Sequence, residues 1–280
     1  MIGLVEYNPD IAWEVPSDPS LKEFLEPTEY SDMDNPLVRD LALSMARNAR
    51  HPREVAVKVW NYIVDEIKWC YEPPKPVLKV IQEKSGNCFN RTNLHASLLR
   101  INGIPARYTY EQVYSKFAGI AIPPSIIERL PVNAIVHITP EVYIDGRWIQ
   151  CDQWADRDLI PYLYQWNGVD DLCALPPDYV WKNLGYSPGI LLEPLKAQFK
   201  NAGITKKFSL ENVDPYTDFV RSLPYGEKVN LYEGILGKEY ADNFARYLYM
   251  KAVPFRETEC PDIKPSEPSR LPIQDSIIPR

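Results

Sequence analysis

The sequence predicts an α+β chain: a helix that starts near Cys88, an antiparallel hairpin after it, and a C-terminal helical extension. Three observations carry this. Residues Lys84–Arg107 read as a polar turn, a helix and a sharp stop, because Leu94, Leu98 and Ile101 share one helical face and Gly103 and Pro105 end it. Val136–Asp152 reads as a β-hairpin, with Asp145-Gly146 as its two-residue turn between β-branched and aromatic runs. Residues 189–252 carry helical periodicity again, with Asp214-Pro215 as a helix start and Tyr240, Phe244 and Leu248 striping a helix near Tyr240–Lys251.

In chain order, residues 1–33 are acidic and irregular and predict an arm that wraps the surface. Asn35-Pro36 starts a helix with Leu37, Leu41 and Met45 on one face. His51-Pro52 starts a second, with Ala56, Trp60, Ile63 and Ile67 facing inward. Pro73, Pro74 and Pro76 impose an extended connection into the Cys88 turn, where Gly86 is free to take a left-handed conformation. Ala106–Tyr114 predicts a strand with Tyr108 and Tyr110 on one face and Arg107 and Thr109 on the other. Residues 115–132 predict a loop with a helical turn. The aromatic stretch from Pro161 to Pro188 is broken by Gly168, Pro176 and Pro177, and reads either as a crossover covering the core or as a lid. Residues 253–280 are Pro-rich and predict an extended tail. The expected organisation is therefore an arm (1–33), a core (34–160), an accessory segment (161–252) and a tail (253–280).

Composition narrows the function. At 280 residues, with 45% hydrophobic and 25% charged, the chain has ample core for a soluble globular protein. A formal net charge of −7 without a basic cluster argues against nucleic acid and anionic membranes, and favours neutral or cationic substrates over polyanions. No apolar run approaches the ~20 residues that span a bilayer, and the first residues lack a signal-peptide pattern. Five cysteines without a C-x-x-C pair then read as reduced thiols in a cytoplasmic protein. With three histidines and no cysteine pair, a metal site is not expected, and the chemistry below needs no cofactor. The C-terminal segment is a candidate homo-oligomer surface.

Cys88 falls at a helix N-terminus, where unpaired N–H groups and the macrodipole favour the thiolate. Elimination selects its base. His51 neighbours a helix cap, and His95 lies two turns along the Cys88 helix, ~10 Å away by helical rise, as a core histidine. His137 remains. If Asp145-Gly146 is the turn, Ile144 faces Arg147 and Asp152 falls opposite Thr139, diagonal to His137 at roughly 7 Å. The hairpin thus places a carboxylate to orient an imidazole, and a Cys–His–Asp set needs only the Cys88 helix on that face.

Gly86-Asn87-Cys88, the run Gly103–Arg107, His137 with Glu141-Val142-Tyr143, Gly146-Arg147-Trp148 and Asp152 together resemble the transglutaminase-like superfamily, over roughly Asn35 to Asp158. The resemblance implies a papain/transglutaminase-like core with Cys88, His137 and Asp152 as catalytic triad. It also implies cleavage or transfer of an amide-linked acyl group through a thioester, with a non-catalytic binding cleft as the other alternative; hydrolysis is slightly favoured over acyl transfer because no acidic cluster in the sequence marks an amine site. By the same resemblance Gln82 is a candidate oxyanion donor. Glu141, Gln150, Tyr110, Trp154 and Trp166 are candidate substrate contacts, in a cleft walled by residues 115–132 and 162–186. Thr139 and Pro140 depart from the family pattern, and Pro140 predicts a bulge or sheet edge with a register shift near His137.

Overall fold

The computed structural model describes residues 9–128, 134–160, 165–173, 180–239 and 241. The tail, the arm's first residues, Tyr162, Tyr164, Tyr179, Cys260 and the helix expected near Tyr240–Lys251 lie outside these residues, as does the side chain of Trp181.

Two helices follow the extended arm, both opened by the signals in the sequence. Helix α1 (Pro36–Ala46) is capped by Asn35, whose side chain accepts from Leu37 N–H. Helix α2 (Pro52–Glu66) is capped by His51, whose Nδ1 accepts from Arg53 N–H at 3.2 Å. The buried stripe of α1 is Val38, Ala42 and Ala46, whereas Leu37 is exposed. Both stripes repeat every four residues. The smaller one faces inward because α1 packs against other helices, where small side chains permit close approach. The extended segment expected at Pro73–Pro76 leads into a short helix, α3 (Val77–Glu83), which the sequence reading lacked.

Helix α4 (Cys88–Ile101) is the centre of the molecule. The sequence predicts one inward face, but every residue from Phe89 to Ile101 is buried. Its polar residues are satisfied by other segments. Arg91 donates to the carbonyls of Ile67, Gln153 and Ala155, Asn93 to Tyr30 O, and Arg100 to Glu26 O and Ala106 O. Buried donors of this kind hold only where acceptors meet them. Gly103, at φ 68°, ends the helix, and a Cβ there would lie 2.5 Å from Val15 of the arm.

The described sheet has the order β3-β2-β1-β4, all neighbours antiparallel: β1 (Ala106–Tyr114), β2 (Ala134–Ile144), β3 (Arg147–Gln150) and β4 (Val180–Ser187). Strand β4 lies in the stretch read as loops, so the sheet extends past the expected core boundary at 160. Asp145 and Gly146 take φ of 55° and 82°, the backbone of a type I′ turn, and Ile144 pairs with Arg147 as expected. Pro140 shifts no register: β1 and β2 pair without a break from Ala106↔Val142 to Tyr114↔Ala134. Its missing N–H lies on the β3 side, where its carbonyl accepts from Cys151 N–H at 3.0 Å. The return bond cannot form, and β3 ends at Gln150, so the expected sheet edge does occur there.

The described elements that follow include α6 (Leu192–Asn201), α7 (Lys206–Asn212), α8 (Asp214–Ser222) and α9 (Tyr225–Leu236), with α5 (Pro124–Ile127) a single turn between β1 and β2. The accessory helices are bolted to the core. Arg221 of α8 pairs with buried Asp156 at 2.9 Å and also donates to Trp69 O, and Tyr216 OH donates to Gly119 O at 2.7 Å. No described helix is long and apolar enough to cross a membrane.

Candidate active site

The turn before α4 is built for close approach. Gly86 N–H donates to Lys68 O at 2.9 Å, and Lys68 N–H donates to Lys84 O at 2.9 Å. The left-handed residue is Lys84, at φ 50°, not Gly86. Gly86 is needed for space, since a Cβ there would lie 2.7 Å from Asn90 Cβ. Asn87 then caps α4: its Oδ1 accepts from Asn90 N–H, while its Nδ2 donates to Glu72 O at 2.6 Å. Cys88 is therefore the first helical residue, half-buried, with the helix's positive end behind its thiol.

Where β3 stops, β2 has a free edge, and α4 occupies it. Thr92 Oγ1 donates to Ile138 O, a carbonyl on that edge, at 3.2 Å. The body of the helix lies on the Tyr108 face of the sheet, where Tyr108 OH donates to Asn93 Oδ1 at 2.8 Å. His137 projects from the opposite face, in register with Glu111. The helix does not pack on the His137 face as the sequence suggests; its N-terminus reaches His137 around the free edge.

His137 Nε2 lies 3.1 Å from Asp152 Oδ2, and Cys88 hydrogen-bonds the imidazole. With Nε2 held by the carboxylate, Nδ1 is the nitrogen left for the thiol. Burial alone favours the neutral ring. The charge and hydrogen bond of Asp152, with the Cys88 contact, outweigh it and raise His137 well above the ordinary histidine value. Asp152 is placed by the loop after β3: its N–H donates to Leu172 O at 2.8 Å, and its carbonyl accepts from Trp60 Nε1 at 3.0 Å.

An apolar cleft opens beside the thiol. Its described lining comprises Cys88, His137 and Asn87 with Trp69, Tyr71, Phe89, Val113, Phe117, Ala118, Ile122, Ile135, Val136, Trp154 and Phe199.

Residues 39–153 match the model of the transglutaminase-like superfamily, a span that contains Cys88, His137 and Asp152. Over this segment, less than half of the chain, the protein is similar to that superfamily. Among solved structures, the chain is similar to a proposed cysteine protease from Cytophaga hutchinsonii, at 18% identity and TM-score 0.46, covering 68% of this chain and 53% of that one. It is also similar to a proposed protease from Parabacteroides distasonis (12% identity, TM-score 0.32) and to red sea bream transglutaminase (14% identity, TM-score 0.29). Each of those two similarities covers 49% of this chain and 26% of the other. The chain thus spans about half the length of the first and about a quarter of the others. No curated protein matches it.

Around the matched segment, the candidate residues separate. Trp154 lines the cleft, and its indole N–H has no hydrogen-bond partner among the described residues. Four other candidates sit elsewhere. Glu141 is paired with Arg107, Gln150 donates to Thr139 Oγ1 at 3.1 Å, Tyr110 OH accepts from Leu191 N–H at 2.9 Å, and Trp166 Nε1 donates to Asp170 O at 2.8 Å. Each spends its polar group on the scaffold. Gln82 is exposed on α3 and is absent from the described cleft lining. Of the expected walls, Phe117, Ala118 and Ile122 from the 115–132 segment take part. From 162–186 no described residue does; Tyr186 instead lies against the Arg107 guanidinium. Phe199 of α6, Trp69, Tyr71 and Phe89 form walls the sequence reading did not name. They come from three separate stretches, and no local pattern joins them.

His95 is the core histidine the spacing predicts. It is fully buried, with Nδ1 2.6 Å from Gln153 Oε1. Burial lowers it to about 4, the hydrogen bond to Gln153 opposing. Its folded value lies below its unfolded one, so as pH falls the unfolded chain takes the proton first. Stability is fully present above the unfolded value and is lost as pH falls from about 6.5 toward 4, by something on the order of 3 kcal/mol. Chemical denaturation of wild type and His95→Gln between pH 7 and 4 should show a smaller acid loss in the variant; parallel curves would assign the loss to other groups.

Proposed function

We propose that this chain cleaves amide-linked acyl groups through a thioester on Cys88, with Cys88, His137 and Asp152 as nucleophile, general acid–base and orienting carboxylate. The observation that carries the reading is the relay itself: a helix-start thiol hydrogen-bonded to an imidazole whose other nitrogen meets a buried carboxylate. The thiolate attacks the carbonyl carbon, and the oxyanion forms beside the Cys88 backbone N–H and the unpartnered Trp154 indole N–H. The C–N bond then breaks, and His137 delivers its proton to the departing amine. Water next attacks the thioester with His137 as base, the C–S bond breaks, and the acid leaves.

The cleft argues for an uncharged, apolar or aromatic acyl group. Its described walls hold five aromatic rings besides Tyr71 and no acidic or basic side chain other than His137. The same walls exclude water, which supports acyl transfer to an amine as the second reading. The lack of an acidic side chain among the described walls favours hydrolysis, since nothing there holds a cationic amine.

A panel of anilides differing only in acyl group, acetyl, phenylacetyl and succinyl, tests this with intact-mass detection of the acyl-enzyme. Phenylacetyl should exceed succinyl by about 10- to 100-fold in kcat/KM. The adduct should map to Cys88 and release free acid. A hydroxamate that saturates with added hydroxylamine would establish transfer instead. An absence of any Cys88 adduct would leave the cleft as a binding module.

A further inference from the structure

One carboxyl group beside the site takes no part in the proposed reaction. Glu111 of β1 pairs directly with His137 of β2, so their side chains stand as neighbours on one face of the sheet. It is buried, at 5% exposure, and its Oε2 has no hydrogen-bond partner among the described residues. Thr109, two residues along the same face, has an orphaned buried hydroxyl as well. A carboxyl group in such a place is costly, and nothing in the sheet's architecture requires it.

We infer that Glu111 is a second carboxyl group acting on His137, a positioning residue whose charge decides how firmly the imidazolium keeps its proton. The inference rests on the relay reading above.

The surroundings define its two states. The charged and titratable groups facing Glu111 among the described residues are His137 and Glu141 of β2, Asp152 beyond β3 and, further along β1, Arg107, which is paired with Glu141. Gln150 of β3 hydrogen-bonds the carboxyl, and Asn183 of β4 stands opposite it. Lys182 of β4 pairs with Gln112, on the other face. Burial raises Glu111 to about 7; His137 and the Gln150 bond oppose this, while Asp152 and Glu141 add to it. Below neutrality the relay therefore carries one carboxylate beside the imidazolium. Above neutrality it carries two, and the added negative charge holds the His137 proton more tightly. The ion pair with Cys88 then persists to higher pH, and His137 becomes a weaker acid toward the leaving amine.

The pH dependence of Cys88 alkylation by iodoacetamide reads this without any substrate. In Glu111→Gln, the alkaline inflection, where the imidazolium loses its proton, should move down by about one pH unit. Glu111→Asp should restore it at least in part. Coincident profiles in a folded Glu111→Gln chain would overturn the inference while leaving the relay standing. Wild-type Cys88 reacting no faster at pH 6.5 than the other cysteines would overturn both. If Glu111→Gln does not fold, the wild-type chain still decides. Its His137 ring resonances, assigned with His51 and His95 variants, should show a step near pH 7 from the neighbouring carboxyl; a titration without that step would overturn the inference.

Discussion

His137→Ala lowers kcat/KM by about 10⁴-fold, at the upper end of what a positioned acid–base contributes. In the proposed reaction the ring is the group that meets the thiol and passes a proton to the leaving amine. Without it, Cys88 loses its imidazole partner, so its alkylation at pH 6.5 should fall by about 100-fold. Asp152→Asn is expected to cost less, about 10²-fold, because the imidazole remains and only its orientation and its positive charge lose support. Peptide mapping after limiting iodoacetamide gives the second readout. Cys88 should label first in wild type, since Cys70 and Cys151 are buried and burial pushes both thiols up. Removing His137 strands the Asp152 charge, so circular dichroism must accompany the rates. Activity kept in His137→Ala and lost in His95→Ala would mean that the wrong histidine has been assigned.

Arg91→Met destabilises the chain by about 3–5 kcal/mol, the cost of leaving buried polar groups without partners. Arg91 is fully buried, and its guanidinium ties α4 to two other stretches: the end of α2 through Ile67 O, and the loop after β3 through Gln153 O at 2.9 Å and Ala155 O at 2.8 Å. Methionine fills much of the volume but satisfies none of the three carbonyls. Those of Gln153 and Ala155 flank Trp154 and follow Asp152, so the variant should also lose activity out of proportion to the fraction unfolded. At about 2–4 °C per kcal/mol, the melting temperature should drop by roughly 10 °C. A drop of one or two degrees would show that the loop holds its place without Arg91.

The placement of His137 against Asp152 was legible in the sequence because a two-residue turn fixes hairpin register locally. Asp145-Gly146 demands positive φ at both positions, and from that turn each cross-strand pair follows to Glu141↔Gln150 and the Cys151 bond to Pro140. Helix starts at Asn35-Pro36 and His51-Pro52, and the position of Cys88 as first residue of its helix, were legible for the same reason. They depend on backbone sterics and capping within a few residues. The tertiary structure alone decided the rest. Nothing in the α4 pattern says that Arg91 and Arg100 are buried, because acceptors of both come from segments far along the chain. Glu111 reaches His137 through a pairing whose connecting loop sets no register. The cleft takes Phe199 from α6 and Trp69 from the α2–α3 connection. Such contacts depend on which elements pack together, and hydrophobic period shows that a face is buried without showing what buries it.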